Sequence, residues 1–457
     1  MTPPHSNPAR PAATAASRPP SPLLLWLWLV PLAIVAWWTA NSIGQIGREH
    51  MEVGERFRDF LEFYSGAEAL VKGTPLYEAG KLGYIYPPLL AVIMKPMAFL
   101  PIDQAALIWL AVKVIAVLVS VWFGARAVAA RFDLDRHAPL ALVGGVIAAI
   151  GTALLADKLR AEFRMQQSNT LLLLGWTLAL VWLDRRPTLA GFVLGFAVTI
   201  KYVALIALPY LLIRRRFRAA AAMAVSMVAL ALAPALVIGW QENLDGLQRA
   251  LGGIGSMLAG STPQSGEAKV MALTRIGCSI PTAMAHFLGE PGLSLRSIAL
   301  IGLVAAATFA GAWAIYARRG QAMFATRGGR NELPPYLGGT ADADRLRIVA
   351  LEWCGLIVAA LCFSPQTNSP HMVQLLPVCF AIAAAAIAPL NNSAKLRWLA
   401  IASGAVLVAG LTLPPSSASN REFVYAVHRA GWPCWAMLVS YLLLLAAALP
   451  RSPARKG

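Results

Sequence analysis

Charged side chains that could bind a phosphate lie beside long apolar segments of this chain. Lys201 separates the apolar runs LAGFVLGFAVTI and YVALIALPYLLI, and Arg160 and Arg164 precede a charge-free segment. A lysine within a membrane is costly unless it faces a polar cavity or an anion, and guanidinium groups form paired hydrogen bonds with phosphate oxygens. These residues indicate an anion site, although Lys201 could instead extend its ammonium to the interface and the arginines could anchor a helix there.

An acidic segment near the N-terminus could supply a carboxylate to such a site. Its apolar residues recur at helical spacing: Phe57, Phe60, Leu61 and Tyr64. Steps of 100° place four acids on the opposite face: Glu52, Glu55, Asp59 and Glu62. We expect an amphipathic helix on the membrane surface, and its periodicity does not distinguish a functional carboxylate from a solvated face.

The composition identifies the class of protein that must position these residues. Of 457 residues, 58% are hydrophobic and 13% are charged, whereas about a quarter are charged in an ordinary soluble domain. Several charge-free runs approach or exceed the roughly 20 residues that cross a bilayer as a helix. This excludes a soluble enzyme and predicts an all-α polytopic membrane protein. The net charge of +17 is explained by basic cytoplasmic loops, so we expect no nucleic-acid partner.

The distribution of Lys and Arg predicts the topology. It favours cytoplasmic positions for DRRP (184–187) and RRRFR (214–218). Both loops can be cytoplasmic only under two conditions. The segment 87–100 must not span the membrane, and the apolar runs on either side of Lys201 must form a hairpin of two half-length helices. The result is a bundle of about 12 transmembrane helices with both termini cytoplasmic and an extracytoplasmic amphipathic juxtamembrane region.

This topology divides the chain into five parts. They are a disordered cytoplasmic tail (1–22), a membrane module that includes the outer loop 41–100 (23–240), a further outer loop (241–295), a variable C-terminal transmembrane module (296–450) and a cytoplasmic tail (451–457).

The predicted topology places candidate residues from separate segments at the outer face. Asp59 lies in the first outer loop, Arg164 in a loop at 157–169, and Lys201 at the hairpin tip. His371 follows the turn SPQTNSP and could either donate a hydrogen bond to an anion or cap the turn. Their convergence indicates a site more strongly than any one of them does.

Five segments, in this order, carry a family resemblance. They are DFLEFYSGAEALVKGTPLY from Asp59, YIYPPLLAVIMKPMAFLP from Tyr84, QQSNTLLLL from Gln166, LAGFVLGFAVTIKYVALIALPYLLIRRRFRA from Leu189 and SPQTNSPHMVQLLP from Ser364. With these segments the chain resembles glycosyltransferase family 87, bacterial members of the GT-C superfamily that are similar to polyprenyl-phosphate-mannose-dependent mannosyltransferases. The module 23–240 then corresponds to the GT-C catalytic module.

The resemblance assigns roles to the candidates. Asp59 matches the family's general base, Lys201 its hairpin lysine, and His371 stands where the family tends to have histidines. The family often has Gly-Gln-x-Asn where this chain has Gln166-Gln167-Ser168-Asn169. We expect the donor phosphate to be bound by Lys201, Arg164, His371 and Arg160. We expect the substrates to contact Tyr64, Tyr86, Gln167, Asn169 and Glu62.

The resulting hypothesis is an inverting glycosyltransferase of the bacterial inner membrane. Its donor is polyprenyl-phosphate mannose or another polyprenyl-phosphate sugar, and its acceptor is a lipid or glycan at the outer face. Cations would stabilise the leaving phosphate, so we expect neither a metal nor another cofactor. The alternatives are a transporter or flippase of a lipid-linked glycan, in which the same cations bind a pyrophosphate, and a non-catalytic scaffold.

Overall fold

Helices make up the regular structure of the described part of the chain. The computed structural model describes residues 26–48, 50–80, 84–136, 138–262, 273, 277–324, 340–388, 393–412 and 421–451. The predicted tail 1–22 lies outside these residues, and so does the predicted tail 451–457 except for Arg451.

The α-helices follow one another along the chain with short connections. The first ten are α1 (Leu29–Ile46), α2 (Val53–Phe57), α3 (Phe60–Lys72), α4 (Pro88–Met94), α5 (Ile102–Arg131), α6 (Leu140–Leu154), α7 (Ala156–Met165), α8 (Asn169–Trp182), α9 (Pro187–Ile200) and α10 (Ala207–Ile213). The others are α11 (Phe217–Leu232), α12 (Ala235–Ile238), α13 (Trp240–Ala259), α14 (Ile280–Phe287), α15 (Leu295–Arg318), α16 (Thr340–Phe363), α17 (Leu376–Ile387), α18 (Ala394–Leu411), α19 (Arg421–Arg429) and α20 (Trp432–Ala448). Turns of 3₁₀-helix cover Leu76–Glu78, Lys95–Phe99, Leu134–Arg136, Tyr202–Ile206 and Ser369–Leu375.

Long apolar helices confirm the polytopic class. Among the described residues, 7 helices are long and apolar enough to cross a membrane, or up to 9 if each of two bent pairs is one span. The prediction of about 12 spans also includes apolar segments that are shorter than these helices. The helices at 88–99 belong to these shorter segments, and their position beside the membrane stays a prediction.

The helical segment around Lys201 is broken as predicted. Helix α9 ends at Ile200, Lys201 is extended (φ −147°, ψ 129°), and a 3₁₀ turn leads into α10. At the far end of α9, the Asp184 carboxylate lies 2.8 Å from Arg131 Nη1 and 2.6 Å from Arg216 Nη2. The loops that precede α9 and follow α10 therefore meet, and the two half-length helices form a hairpin with Lys201 at its tip.

The prediction of one continuous amphipathic helix around Asp59 is wrong. The backbone leaves the helical conformation at Arg58 (φ 51°, ψ −129°), which separates α2 from α3. Phe57 and Phe60 are nevertheless both fully buried, as the apolar periodicity indicated. Because of the break, Asp59 lies at the start of α3, away from an acidic stripe.

The predicted outer loops at 157–169 and 241–295 are largely helical where the structure describes them. Helix α7 occupies most of the first and is bent by 64° from α6. It ends at Met165, and the next residue, Gln166, is left-handed (φ 54°, ψ 34°). Helices α13 and α14 occupy much of the second.

Two glycines allow α9 to pack closely against α11. A Cβ on Gly191 would lie 2.2 Å from the Ala219 carbonyl oxygen, and a Cβ on Gly195 would lie 1.9 Å from Ser226 Oγ. Small residues four apart are typical of close helix contacts in membranes. The hairpin that carries Lys201 is therefore fixed by direct backbone packing.

Gly195→Ala is expected to lower the melting temperature of the purified protein. The added methyl group meets the α11 backbone, and overpacking of this kind costs about 1–3 kcal/mol. The matched control is Gly302→Ala in α15, where no atom lies within 4 Å of the added Cβ. Equal melting temperatures for the two variants would contradict the close packing of α9 and α11.

Helix α15 has few protein contacts. Only Ser297, Ala312 and Tyr316 are buried along its length. Its most apolar window is 6% buried, compared with 83% for the span Ser369–Ile387. The molecule thus combines an enclosed central helix with a peripheral one.

Candidate active site

Backbone contacts attach the break before α3 to the end of α7. The Asp59 N–H donates to the Met165 carbonyl at 3.2 Å, and Gln166 Nε2 donates to the Arg56 carbonyl at 3.3 Å. Gln45 Nε2 donates to the carbonyls of both Glu55 and Arg56 at 3.0 Å. Asp59 is therefore fixed against the residues that lead into Gln167 and Asn169.

The left-handed residue Gln166 turns the chain from α7 into α8. Its carbonyl accepts a hydrogen bond from Trp109 Nε1 at 3.0 Å. Its backbone has φ 54°, a region that glycine enters without steric cost. A glycine would adopt this turn without strain, and here a buried glutamine occupies it.

A chain of amide hydrogen bonds joins Asp59 to Lys201. Gln167 Nε2 donates a short hydrogen bond to Asp59 Oδ2. Asn169 Nδ2 donates to Gln167 Oε1 at 2.7 Å, and Lys201 Nζ donates to Asn169 Oδ1 at 2.7 Å. The structure thus brings together four of the predicted site residues from three separate segments.

His371 completes this cluster from the 3₁₀ segment before α17. Its Nε2 lies 3.1 Å from Lys201 Nζ, and its Nδ1 makes a short contact with Asn368 Oδ1. Because the Lys201 ammonium only donates, Nε2 accepts from it and the ring hydrogen lies on Nδ1, towards Asn368 Oδ1. The Asn368 backbone N–H also lies 3.3 Å from Nδ1. Asn368 lies within the segment SPQTNSPH, and no pattern in the sequence alone assigns it a role.

The three N–H groups of the Lys201 ammonium face three acceptors. These are Asn169 Oδ1, His371 Nε2 and, at 3.4 Å, Gln167 Oε1. The Tyr86 ring lies 5.8 Å from Nζ, within the range of a cation–π contact. In the described part of the chain, no carboxylate lies within salt-bridge distance of Lys201, so neutral groups make its direct contacts while the charges of Glu162 and Asp59 act on it from farther away.

A fully buried ion pair lies next to the amide chain. Lys113 Nζ is 3.3 Å from Glu162 Oε1 and donates to the Glu162 carbonyl at 2.7 Å. Glu162 Oε2 accepts from Asn169 Nδ2 at 2.9 Å. Sequence reasoning missed this pair, although Lys113 interrupts the apolar stretch of α5 just as Lys201 interrupts its own, and the cost of a membrane lysine applies to both.

The environment of Asp59 makes its carboxylate a stronger base than an exposed one. Burial raises the pKa of Asp59, while the hydrogen bond from Gln167 and the positive charge of Lys201 lower it. A carboxylate with a raised pKa is a better proton acceptor once ionised. The arrangement places a carboxylate that can accept a proton and a cation that can bind an anion on one hydrogen-bonded chain.

Two predicted phosphate ligands lie apart from this cluster. Arg160 and Arg164 are exposed on α7. Arg160 Nη2 forms a salt bridge with Asp157 Oδ1 at 2.7 Å. The structure therefore does not join either arginine to Lys201.

The remaining predicted substrate contacts differ in burial and in the residues that they touch. Tyr86 is buried, with its ring 5.0 Å from that of Phe63. Tyr64 donates its hydroxyl to the Leu100 carbonyl at 2.8 Å, and the Glu62 carboxylate lies against Gly80. Of the three, Tyr86 contacts the Lys201 cluster.

The described residues include no group of three or more His, Cys, Asp or Glu side chains arranged to hold a metal ion. The expected independence from metals stays a prediction.

Comparison with known proteins identifies relatives of this chain. The model of glycosyltransferase family 87 matches residues 84–328, a range that contains Gln167, Asn169 and Lys201 but excludes Asp59 and His371. A polyprenol-phosphate-mannose-dependent alpha-(1-2)-phosphatidylinositol mannoside mannosyltransferase of Mycobacterium tuberculosis is 26% identical over 323 residues, 62% of this chain and 70% of the relative. The protein of the same name from Mycolicibacterium smegmatis is 25% identical over 383 residues, 78% of this chain and 75% of the relative. No solved structure matches the chain.

Proposed function

Because the chain belongs to glycosyltransferase family 87, we propose that it transfers mannose from a polyprenyl-phosphate carrier to a lipid or glycan acceptor. The observation that carries this proposal is the hydrogen-bonded chain from Asp59 through Gln167 and Asn169 to Lys201. This chain connects the carboxylate that we propose as the base to the cation that we propose as the phosphate ligand. Membership of a transferase family also favours catalysis over the transporter and scaffold alternatives.

In the proposed reaction, Asp59 takes the proton from an acceptor hydroxyl. The acceptor oxygen attacks the anomeric carbon from the side opposite the phosphate, and the bond from that carbon to the phosphate oxygen breaks. A single displacement inverts the configuration, so a β-linked donor gives an α-linked product. The relatives are named for α linkages and for phosphatidylinositol mannoside acceptors, which supports an α-mannosyl product and a glycolipid acceptor here.

Lys201 is the proposed ligand of the donor phosphate. Its contact with Gln167 is the longest of its three, at 3.4 Å, and a phosphate oxygen could replace that acceptor while Asn169 and His371 stay in place. His371 then positions Lys201, because its Nε2 accepts from the ammonium and does not itself donate. The growing negative charge of the leaving phosphate meets a fixed cation, an interaction worth a few kcal/mol in the transition state.

We place the site at the outer face of the bacterial inner membrane, with both termini cytoplasmic and about 12 spans. The salt bridges of Asp184 with Arg131 and Arg216 gather basic segments at the end of α9 opposite Lys201, as the distribution of basic loops requires. Residues 23–240 would form the catalytic module, and the outer segment 241–295 and the module 296–450 would select the acceptor.

Arg160 and Arg164 are proposed to attract the donor headgroup without holding it during transfer. Replacing either by Ala is expected to lower kcat/KM less than tenfold, about 1.4 kcal/mol, through a higher KM, because exposed charges are screened by solvent and salt. Steady-state kinetics at low and high salt check this, since the KM of wild type should rise with salt while that of the variants changes less. A large fall in kcat would instead place the arginine at the reacting phosphate.

The function is tested with purified protein, synthetic short-chain polyprenyl-phosphate [³H]mannose and a total lipid extract. We expect label to move into a lipid product, and to do so in the presence of EDTA. The control replaces the donor with nucleotide-linked [³H]mannose, which should give no product. Transfer from the nucleotide donor alone would contradict the proposal, and the labelled product of the lipid donor would identify the acceptor class.

A further inference from the structure

We propose that Glu162, held by Lys113, is a positioning residue that fixes the direction of the amide chain from Asn169 through Gln167 to Asp59. The inference rests on the proposed function, in which Asp59 is the base. Glu162 and Lys113 do not touch the reacting atoms in this proposal. They act through Asn169.

The charges on either side of Asn169 fix the orientation of its amide. An ammonium only donates hydrogen bonds and an ionised carboxylate only accepts them. Asn169 lies between the two, with Oδ1 2.7 Å from Lys201 Nζ and Nδ2 2.9 Å from Glu162 Oε2. If the oxygen and nitrogen of this amide were exchanged, the amide N–H would face the Lys201 ammonium, which only donates, and the amide oxygen would face the Glu162 carboxylate, which only accepts. The cation and the anion therefore leave a single favourable orientation.

The orientation of Asn169 determines that of the Gln167 amide. Asn169 Nδ2 also donates to Gln167 Oε1 at 2.7 Å, which turns the Gln167 nitrogen towards Asp59 Oδ2. A donor at this oxygen stabilises the ionised carboxylate and fixes its rotation. Oδ1 is then the oxygen that we expect to receive the acceptor's proton.

Lys113 accounts for the charge of Glu162. Both side chains are 0% exposed, and a buried carboxylate without a counter-charge would take up a proton. A protonated Glu162 could donate to Asn169 and would no longer fix the amide in one orientation. The salt bridge with Lys113 keeps Glu162 ionised, and the lysine is itself held by the Glu162 carbonyl.

The test is Glu162→Asp, which keeps the charge opposite Lys113 but withdraws the carboxylate from Asn169 by about 1.5 Å, one carbon–carbon bond. We expect kcat to fall by about 10- to 100-fold, because a misplacement near 1 Å can cost that much, while the donor KM changes little. The titration of Asp59, followed by the infrared carboxylic acid band that Asp59→Asn lacks, should move to higher pH as the Gln167 hydrogen bond weakens. The charged and titratable groups facing Asp59, namely Arg58, Lys113, Lys201 and Tyr86, are unchanged in this variant.

The matched control is Glu68→Asp, which shortens a partly exposed acid paired with Lys72 in α3 and should change neither kcat nor the titration. The double variant Lys113→Met with Glu162→Gln removes both charges and leaves at position 162 a side chain that can donate as well as accept, so it should not recover the activity lost in Glu162→Asp. An unchanged kcat and titration in Glu162→Asp would overturn the inference, and so would a lower melting temperature with an unchanged titration. If wild type transfers no mannose, the proposed function fails, and the Asp59 titration still decides the role of Glu162.

Discussion

Asp59→Asn is expected to reduce kcat for mannose transfer by roughly 10²- to 10⁴-fold, the range contributed by a positioned general base. An asparagine cannot take up the acceptor's proton, but its side-chain oxygen can still accept from Gln167, so the donor KM should change little. Rates measured with labelled donor over a range of acceptor concentrations check this. The control is Glu55→Gln, an exposed acid of the same segment, which should retain wild-type rates.

The pH profile supplies a second readout of the same residue. Burial raises the pKa of Asp59 above its ordinary value of 3.8, and only the ionised form is a base. Activity should therefore fall as the pH drops through this raised value, and the acid limb should be absent from the residual rate of Asp59→Asn. Equal rates and equal profiles in the two proteins would remove Asp59 from the mechanism.

Lys201→Met is expected to lower kcat by about 10²- to 10³-fold, the usual cost of removing one donor to a developing anion. The donor KM should also rise, because Lys201 binds the phosphate before transfer. Lys201→Arg should recover little, since a planar guanidinium does not match three acceptors arranged around a single ammonium. The control is Lys72→Met on the exposed face of α3.

Donor binding and folding must be measured beside these rates. Removing Lys201 takes the donor away from Asn169 Oδ1 and His371 Nε2, so part of any loss could reflect disorder of the amide chain. Melting temperatures near that of wild type, together with weaker binding of the lipid donor, would assign the loss to the phosphate. Unchanged donor binding and an unchanged kcat in Lys201→Met would contradict the proposed role.

Hydropathy and basic-loop counting predict much of this architecture because both depend on composition alone. They give the helical membrane class and the break at Lys201, and they place Asp59, Lys201 and His371 at one end of the fold. Sequence periodicity misses the interruption at Arg58, because a left-handed backbone at an arginine has no compositional signal. The pairing of Lys113 with Glu162 joins separate helices and depends on packing that no local pattern describes.

The two arginines show how one missed helix alters a predicted site. Arg160 and Arg164 are four residues apart, so a helical 157–165 places them on one face. Leu159, Glu162 and Phe163 occupy the opposite, buried face. An assignment of this segment as a loop lets every polar side chain point at the site, whereas the helix sends Glu162 inward and both arginines outward.

The peripheral position of α15 has a consequence for how this protein diverges from its relatives. Acyl chains are a fluid and non-specific surrounding, so most positions of α15 are constrained only by apolarity and length. Neutral exchange among Leu, Ile, Val, Ala and Phe should accumulate there quickly. The enclosed span Ser369–Ile387, which is 83% buried, must instead match the shape of its neighbours at nearly every residue. Related chains should therefore align well at this central span and poorly at α15, even where both helices keep the same place in the fold.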